Sequence, residues 1–583
     1  MQHRSKLRRS IILALSLLSG CAAASASHDA DATGPTAPSP PAATGTASTY
    51  LTARFAAMEN DLPFAAKQFG AVLATDPTNP DLRQQAFMAS LLAGSPEAVK
   101  LAALQPPDNQ VAQMLLGDAD AKAGNWADAE KRFAGLPRQG MPQILQPILV
   151  AWAQQGQGKT DAALATLRPF VEGQRFRAVY ALHAALIADM GHHPADAARL
   201  YQVAQTEYGS LNLQLGRELA SWQARSGHSD EAAKTLTDMV ETSPELAIAL
   251  PALQAAAAEP QVRTPTDGLA EAYMALAAAL RAQESSELSV VLGDLALDAR
   301  PDLTAARLLL AEIYDSRGDA QSALSVLAPV ASADPLDVLV RLRQAALNDR
   351  AGHTALALQM LSRIAKDYPA RPEPMAVQGD MLRAQQRFAE AVTAYDKAVA
   401  LLGTPKATNW PLFYDRGVAL ERSHQWPRAE ADFQKALELS PDQPVVLNYL
   451  GYSWADQGHN LSQARQMIER AAEQRPNDGA ILDSLGWVVL RQGDVPSAVR
   501  FLERAVELDS EDSTINGHLG DAYWAAGRKR EAQLQWRRAL TLDPQPDDAA
   551  KLRAKLRDGD LAVVRAPLPP TAQQSQPAPQ TPQ

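Results

Sequence analysis

A period of about 34 residues runs through most of this chain and limits the folds open to it. A glycine or alanine recurs at this spacing from Ala53 to Gly520, and a second small residue stands twelve positions after nearly every one. Twelve of the fourteen second positions are alanine; the exceptions are Ser289 and Gln463, and Ala464 directly follows the latter. A fixed internal period of this length is typical of arrays in which each repeat packs on its neighbours. The fourteen first positions are Ala53, Ala86, Gly117, Ala151, Ala185, Ala220, Ala277, Ala311, Ala345, Gly379, Gly417, Gly451, Gly486 and Gly520.

The amino-acid composition favours helices over sheets. Apolar residues make up 46% of the chain, but aromatic residues only 5%, and alanine supplies much of the apolar fraction. Alanine, leucine, glutamate, arginine and glutamine lose little side-chain freedom in a helix, whereas aromatic and β-branched residues favour strands. We therefore expect an all-α chain.

The clearest repeat occupies residues 516–544, with the sequence NGHLGDAYWAAGRKREAQLQWRRALTLDP. Counted from Gly520 as offset 0, the marker residues at offsets −1, 3, 12, 16, 19 and 24 are Leu519, Tyr523, Ala532, Trp536, Ala539 and Pro544. This pattern resembles the tetratricopeptide repeat (TPR), which has Leu-Gly, Tyr, Ala, Phe, Ala and Pro at these positions. The resemblance covers about residues 49–546 and is more specific in the C-terminal half.

The resemblance implies that each repeat is a pair of antiparallel helices, A and B, and that about fourteen repeats stack into an all-α TPR solenoid, in one array or in two lobes. Small residues at offsets 0 and 12 would let helices A and B approach closely, and a large side chain at offset 16 would fill the space between them. Glycines such as Gly124, Gly318 and Gly493 would form the turns between helices A and B.

Composition and spacing together divide the chain into seven segments. The spacing between Ala220 and Ala277 is longer than the others, and its extra residues fit either a hinge or an additional degenerate repeat. The segments are a lipoprotein signal peptide at 1–20, a flexible Ala/Pro/Ser/Thr tether at 21–48, an N-terminal TPR array at 49–244, the insert at 245–266, a C-terminal TPR array at 267–546, a capping helix at 547–564 and a disordered Pro/Gln tail at 565–583.

The N-terminus has the features of a targeting segment. Four basic residues precede a short apolar run, IILALSLL, which is too short to span a bilayer. The following Leu18-Ser19-Gly20-Cys21 resembles the lipobox of bacterial lipoproteins, in which the cysteine thiol is acylated, and Cys21 is the only cysteine of the chain. The alternative is an ordinary secretory signal cut within residues 22–26. Because Ala22 rather than aspartate follows the cysteine, the resemblance implies sorting to the outer membrane, facing the periplasm.

Motifs for catalysis, metals and nucleic acids are not apparent in the sequence. A single cysteine excludes a multi-cysteine zinc site, and the ten histidines do not occur at metal-binding spacings. No phosphate-binding glycine loop or nucleophile elbow is present. The net charge of −11 offers little attraction to nucleic-acid phosphates. We expect no enzymatic activity, no cofactor and no nucleic-acid partner.

TPR solenoids bind proteins along their concave face, which helix A lines. At the inward-facing offsets of the C-terminal array stand aromatic and charged residues, the types enriched at binding hot spots. We predict that these residues bind a partner; the alternative is that Tyr452, Trp487 and Trp524 pack between A helices. The predicted residues are Asp380, Arg383, Tyr414, Arg422, Asn448, Tyr452, Asp483, Trp487, Arg491, Asp521 and Trp524. The corresponding N-terminal positions, such as Leu145, Ile148 and Leu182, are mostly aliphatic and predict a scaffold role.

The whole pattern is similar to large TPR lipoproteins of Gram-negative bacteria, some of which tether a periplasmic carboxyl-terminal processing protease. This resemblance implies a membrane-anchored adaptor that binds a periplasmic or envelope protein, with such a protease as one candidate. Two alternatives stay open: an assembly factor for envelope export or outer-membrane biogenesis, and an enzyme or small-ligand binder.

Overall fold

The computed structural model describes residues 45–137, 140, 142–173, 175–281 and 286–558. The predicted signal peptide, Cys21, most of the tether and residues 559–583 lie outside the described residues. All regular secondary structure in the described ranges is helical, which confirms the expected all-α class. Contacts within the chain divide it into two compact units, with unit 1 ending at Pro369 and unit 2 beginning at Ala370.

Unit 1 contains nineteen described α-helices. A 3-10 helix at Pro244–Ala249 precedes the thirteenth of them. The α-helices are α1 Thr46–Met58, α2 Leu62–Thr75, α3 Pro80–Leu92, α4 Glu97–Ala102, α5 Gln110–Lys122, α6 Trp126–Ala134, α7 Pro142–Gly156, α8 Thr160–Val171, α9 Arg177–Met190, α10 Pro194–Tyr208, α11 Leu213–Arg225, α12 Ser229–Thr242, α13 Leu250–Ala255, α14 Pro265–Arg281, α15 Ser286–Ala299, α16 Thr304–Ser316, α17 Ala320–Leu327, α18 Asp337–Arg350 and α19 Thr354–Asp367.

Unit 2 contains eleven described α-helices, and a 3-10 turn at Ala407–Asn409 precedes the third. They are α20 Glu373–Ala384, α21 Phe388–Leu401, α22 Trp410–Arg422, α23 Trp426–Leu439, α24 Pro444–Gln457, α25 Leu461–Gln474, α26 Gly479–Arg491, α27 Val495–Leu508, α28 Ser513–Ala525, α29 Lys529–Leu540 and α30 Pro546–Asp558. Apart from α13 and α30, the helices of both units pair into fourteen antiparallel hairpins, which agrees with the repeat number expected from the sequence.

The small residues that define the sequence period are the contact points within these hairpins. Every residue at offset 0 is buried, and so is every residue at offset 12 with one exception. That exception is Gln463, which is exposed, while Ala464 is fully buried in its place. Helix α24 ends at Gln457, six residues after Gly451, whereas α26 ends at Arg491, five residues after Gly486, and this extra helical residue accounts for the shift by one. The repeat frame is confirmed.

In four hairpins the aromatic ring at offset 16 lies so close to helix A that only glycine fits at offset 0, whereas Phe69 and Tyr201 stand opposite Ala53 and Ala185. A Cβ atom added to Gly417 would lie 2.7 Å from Cε1 of Phe433, closer than packing allows. The pairs Gly117–Phe133, Gly379–Tyr395 and Gly520–Trp536 show the same conflict. The ring at offset 16 therefore occupies the volume that a methyl group on helix A would need.

The insert forms short helices, and the first array begins a few residues before the sequence-based boundary. Within 245–266 the chain forms the 3-10 helix and the six-residue α13, and α14 begins at Pro265. Residues 46–48, assigned to the tether, already belong to α1, because the hydroxyl of Ser48 and the backbone amides of residues 48 and 49 bond to the Gly45 carbonyl. The two compact units divide at Pro369, more than a hundred residues after the insert.

Unit 1 contains long-range contacts that a simple stack of hairpins would lack. Helix α15 packs on α3, and Lys122 of α5 pairs with Asp298 of α15 at 2.6 Å. The side-chain amide of Asn60, between α1 and α2, donates to Asp319 at 2.7 Å. The seventh and eighth hairpins of unit 1 therefore return to its first three.

Glycine substitutions in unit 2 test the packing of the hairpins. We predict that Gly417→Ala destabilises α22 and α23 by about 1–3 kcal/mol, because the new methyl group overlaps Phe433. Gly517→Ala is the control: its Cβ would meet only Leu552 at an ordinary 3.5 Å, and alanine is favoured over glycine in a helix by about 0.5–1 kcal/mol. Hydrogen exchange of the helices measures both effects. If both substitutions changed the stability of their helices in the same direction, this explanation of the packing would be contradicted.

Candidate protein-binding surface

The inward-facing positions of unit 1 form a core, because one of the chain's own helices packs against them. Leu145, Ile148, Trp152 and Leu182 have no exposed surface. Helix α14 packs along α7 and also contacts α5 and α9. A side chain on Gly268 of α14 would overlap the Trp152 ring, so the α14 backbone lies directly on that ring. In this part of unit 1 the inner face is filled.

Hydrogen bonds fix α14 in this position. The Tyr273 hydroxyl donates to Asp118 of α5 at 3.0 Å, and both side chains are fully buried. Burial, reinforced by the charge of Asp298, raises the pKa of Asp118 well above its ordinary value, and the Tyr273 bond partly offsets this. Near the start of α14, Glu271 accepts a hydrogen bond from Gln214 at 2.7 Å and pairs with Arg300 at 3.4 Å.

A buried histidine completes this inner core. The indole N–H of Trp152 donates to Nδ1 of His183 at 3.1 Å. Burial lowers the pKa of His183 to about 3, so the ring is neutral at physiological pH. A neutral histidine at this point is compatible with the apolar surroundings, whereas a charged one would need a partner. The polar residues at these positions therefore stabilise the fold of unit 1.

Unit 2 presents its inward-facing positions on α20, α22, α24, α26 and α28. We call these eleven predicted residues, from Asp380 to Trp524, the inner face of unit 2. Its first part is a hydrogen-bonded network: Arg383 pairs with Asp415 at 3.1 Å, and the Tyr395 hydroxyl donates to Asp380 at 2.7 Å. Burial and the charge of Asp380 raise the pKa of Asp415 to about 7, against the opposing effect of Arg383. The network fixes the Arg383 side chain, of which 31% is still exposed.

The middle of the inner face is aromatic and half-buried. The rings of Tyr414 and Tyr449 meet edge to face at 5.9 Å, and the Tyr449 hydroxyl donates to Glu421 at 3.1 Å. Arg422 is exposed and lies over the Phe388 ring at 5.3 Å. The side-chain oxygen of Asn448 is buried and has no hydrogen-bond partner within the described part of the chain.

Trp487 lies at the centre of a buried cluster between neighbouring A helices. It is 3% exposed and stacks on His518 with ring centroids 4.2 Å apart. His518 Nδ1 bonds to Asp483 at 2.9 Å, and Tyr452 lies beside the same imidazole ring at 6.2 Å. The indole N–H of Trp487 has no partner among the described residues.

The end of the inner face is closed by the capping helix. Asp521 is 1% exposed and accepts hydrogen bonds from Trp536 at 2.9 Å and from Lys555 of α30 at 2.6 Å. Trp524 is half-buried beside Trp536, with Lys529 Nζ 5.2 Å from its ring centroid. Asp521 therefore joins α28, α29 and α30.

The structure separates the eleven predicted residues into two groups. Asp483, Trp487 and Asp521 are buried and pack or bond between helices, as the alternative interpretation held for Trp487. The other eight keep exposed surface: Asp380, Arg383, Tyr414, Arg422, Asn448, Tyr452, Arg491 and Trp524. Whether these eight bind a partner stays a prediction.

Sequence reasoning missed three residues of this surface, Asp415, Tyr449 and His518. Each stands two positions before the small residue of its A helix, at an offset that was not counted as inward-facing. Each touches a predicted residue: Arg383, Tyr414 and Trp487 respectively. Including offset −2 in the frame would have found all three.

Two further properties bear on function. Within the described ranges, no group of three or more histidine, cysteine, aspartate or glutamate side chains is placed to hold a metal ion. The helices of the same ranges include none that combines the length and the apolar character needed to cross a membrane.

Comparisons with known proteins agree with the repeat geometry. Models of the tetratricopeptide repeat-like domain and of the tetratricopeptide repeat match residues 260–410, 455–513 and 489–556. Together with the fourteen hairpins, these matches support a TPR protein with an all-α solenoid fold. Proteins of this class generally mediate protein–protein interactions and are typically non-enzymatic scaffolds.

Individual relatives are distant. A TPR repeat-containing protein of Pseudomonas aeruginosa is 28% identical over 225 residues, which cover 37% of this chain and 36% of that protein. Human tetratricopeptide repeat protein 13 is 33% identical over 131 residues, which cover 22% of this chain and 14% of the human protein. The chain thus spans about a third or less of these relatives. The solved Cut9–Hcn1 structure of the APC/C is 14% identical with a TM-score of 0.38, covering 88% of this chain and 96% of that one.

The buried His518–Asp483 pair predicts a pH-dependent stability of unit 2. Burial lowers the pKa of His518, but the charge and hydrogen bond of Asp483 outweigh it, so the net pKa lies above 6.5. A raised folded-state pKa contributes stability that is present below pH 6.5 and is lost as the pH rises through the folded value. Hydrogen exchange, corrected for its intrinsic pH dependence, should therefore show weaker protection of α26 and α28 at pH 8.5 than at pH 6.

Asp483→Asn is the control, because it removes the charge that raises the pKa of His518 while keeping a hydrogen-bonding side chain. This variant should lose most of the pH dependence of protection in α26 and α28. An identical pH dependence in the wild-type protein and the variant would contradict the assignment.

Proposed function

We propose that the chain is a non-enzymatic adaptor, anchored by acylated Cys21 to the outer membrane and facing the periplasm, which binds an envelope protein on the inner face of unit 2. One observation carries the location of the site: α14 covers the inner side of α5, α7 and α9 in unit 1, whereas the inner face of unit 2 keeps eight predicted residues at least partly exposed. The inward-facing side of helix A is therefore part of a core in unit 1 and an accessible surface in unit 2.

The chemistry of the inner face favours a polypeptide partner. Half-buried tyrosines and a tryptophan supply apolar contact area, and the exposed charges are of both signs. A polypeptide can supply apolar side chains to contact these rings and charged side chains to pair with the exposed charges.

The anchor and the identity of the partner rest on the sequence. Cys21 follows a lipobox-like segment, and about two dozen residues of Ala, Pro, Ser and Thr character separate it from α1. The resemblance to TPR lipoproteins that tether processing proteases makes such a protease the first partner to test.

Site-specific photo-crosslinking in intact cells tests this proposal. A photoreactive residue at Tyr414, Tyr452 or Trp524 should give a crosslink to one common partner, which mass spectrometry identifies. Gln434, Glu473 and Arg504, which are exposed on the B helices, are the control positions. Equal crosslinking from both sets would contradict a site on the inner face.

Substitutions of accessible residues give a second readout. Tyr452→Ala with Arg422→Glu should weaken partner binding by about 2 kcal/mol or more, roughly 30-fold, because aromatic and arginine anchors dominate binding energy. Arg504→Glu, on the outer side of α27, should leave binding unchanged. If the double variant still crosslinked from position 414 as the wild-type protein does, the partner would bind at a different site.

A further inference from the structure

The first helix of unit 1 exposes an apolar face that none of the described residues covers. Leu51, Phe55 and Met58 of α1 are 65%, 63% and 68% exposed, and Phe64 in the first turn of α2 is 40% exposed. The first three follow the spacing i, i+4, i+7, so they lie on one side of α1. Nine large apolar side chains are exposed in the described ranges, and four of them lie within these fourteen residues.

The repeat frame explains why this face is apolar. Leu51 and Phe55 stand at offsets −2 and +2 from Ala53. In most interior hairpins the residue at offset +2 is buried, as Ile187, Leu347 and Val488 show, whereas offset −2 ranges from the buried Leu149 to the exposed Gln84. There, the B helix of the preceding hairpin packs on helix A, as α8 packs on α9 and α25 on α26. Helix α1 has the corresponding face but no preceding described helix.

The segment that precedes α1 in the sequence lacks the apolar residues needed to cover this face. Between Cys21 and α1, residues 22–45 contain no valine, isoleucine, leucine, methionine, phenylalanine, tyrosine or tryptophan. A second copy of the protein is also unsuited to cover this face. A stable dimer buries about 800 Å² on each partner from about 20–30 residues, whereas this patch has only four apolar side chains. The apolar face of α1 therefore needs an apolar partner that can bind through a small contact area.

A membrane surface meets this requirement if Cys21 carries the lipid anchor. If residues 22–45 form the tether expected from their composition, their end-to-end distance is about 25–30 Å and α1 stays close to the bilayer. Tethering raises the effective concentration, so that a contact too weak to hold by itself becomes populated. Helix α1 contains one charged side chain, Arg54, and no acidic one to oppose approach to lipid phosphates.

We propose that Leu51, Phe55 and Met58 of α1 insert into the headgroup region of the membrane that holds Cys21. Helices with an apolar face bind membranes in this way, parallel to the surface. The proposal rests on the proposed anchor and adds a second membrane contact to it. This contact would hold the first hairpin of unit 1 on the bilayer instead of leaving it free at the end of the tether.

Fluorescence quenching in vesicles tests the contact. Once Cys21 is acylated, Met58→Cys provides the only free thiol, which takes an environment-sensitive dye. The purified acylated protein is reconstituted into phosphatidylethanolamine–phosphatidylglycerol vesicles that contain nitroxide-labelled lipid. We expect loss of dye fluorescence at position 58. The matched control is Leu356→Cys, at an isolated exposed leucine of α19, where we expect no loss.

A double substitution separates insertion from mere proximity. Leu51→Ser with Phe55→Ser should abolish quenching at position 58, while the protein still floats with the vesicles and keeps its helical circular dichroism. Persistent quenching in this variant would overturn the proposal. Absence of quenching at position 58 in a protein that floats would also overturn it and leave the anchor intact, and a dimer in sedimentation would then assign the face to a second copy.

The same preparation tests the anchor independently. Two labelled thiols in the Met58→Cys protein, together with failure to float, would show that Cys21 is not acylated and would overturn both the anchor and the membrane contact. In that case the crosslinking test of the inner face of unit 2 still stands, because it does not depend on lipid.

Discussion

The close approach of helices A and B within each hairpin is the constraint on which the rest of this structure depends. Glycine or alanine at offset 0 and, with few exceptions, alanine at offset 12 let the two backbones come together, and a large side chain at offset 16 fills the remaining volume. Where this side chain is the aromatic ring of Phe133, Tyr395, Phe433 or Trp536, the residue opposite it is glycine. The repeat is therefore a matched set of volumes, and its period follows from the length of one hairpin.

Stacked hairpins present one row of A-helix side chains on their inner side, and the two units use this row differently. In unit 1 the row is mostly apolar, and α14 lies on it along α5, α7 and α9, held by the Tyr273–Asp118 hydrogen bond and by the contacts of Glu271. In unit 2 the row carries tyrosines, arginines and aspartates that partly bond to one another and partly face outward. The proposed difference in function between the units thus rests on side chains at a few offsets, on a common backbone plan.

The local part of the fold was predictable from the sequence, and the non-local part was not. Fourteen hairpins, the small-residue contacts and the glycine turns at Gly124, Gly318 and Gly493 all follow from the 34-residue frame, because each involves residues within one repeat. The docking of α14 depends on how several hairpins curve, which no single repeat encodes. The sequence indicates this docking only indirectly, through the aliphatic residues at inward positions of unit 1 and through Gly268, which lies opposite Trp152.

The candidate site was predictable as a surface but not residue by residue. The frame identified the A helices and their inward side, which is why most predicted residues lie there. It did not show that adjacent A helices pack closely enough to bury Trp487 and Asp483, or that His518 would stack on Trp487 beside Tyr452. Those outcomes depend on the spacing between hairpins, which the period alone does not fix.

We infer that α14 covers the inner side of α5, α7 and α9 in unit 1 and that partner binding therefore falls to unit 2. Hydrogen–deuterium exchange of the intact protein, with and without its partner, tests this claim most directly. In the free protein, α14 should be protected as strongly as α7 and α9. Adding the partner should slow exchange in the helices that carry the inner face of unit 2, α20, α22, α24, α26 and α28, and leave α5, α7 and α9 unchanged. Rapid exchange of α14, or partner-induced protection confined to α5, α7 and α9, would contradict this inference.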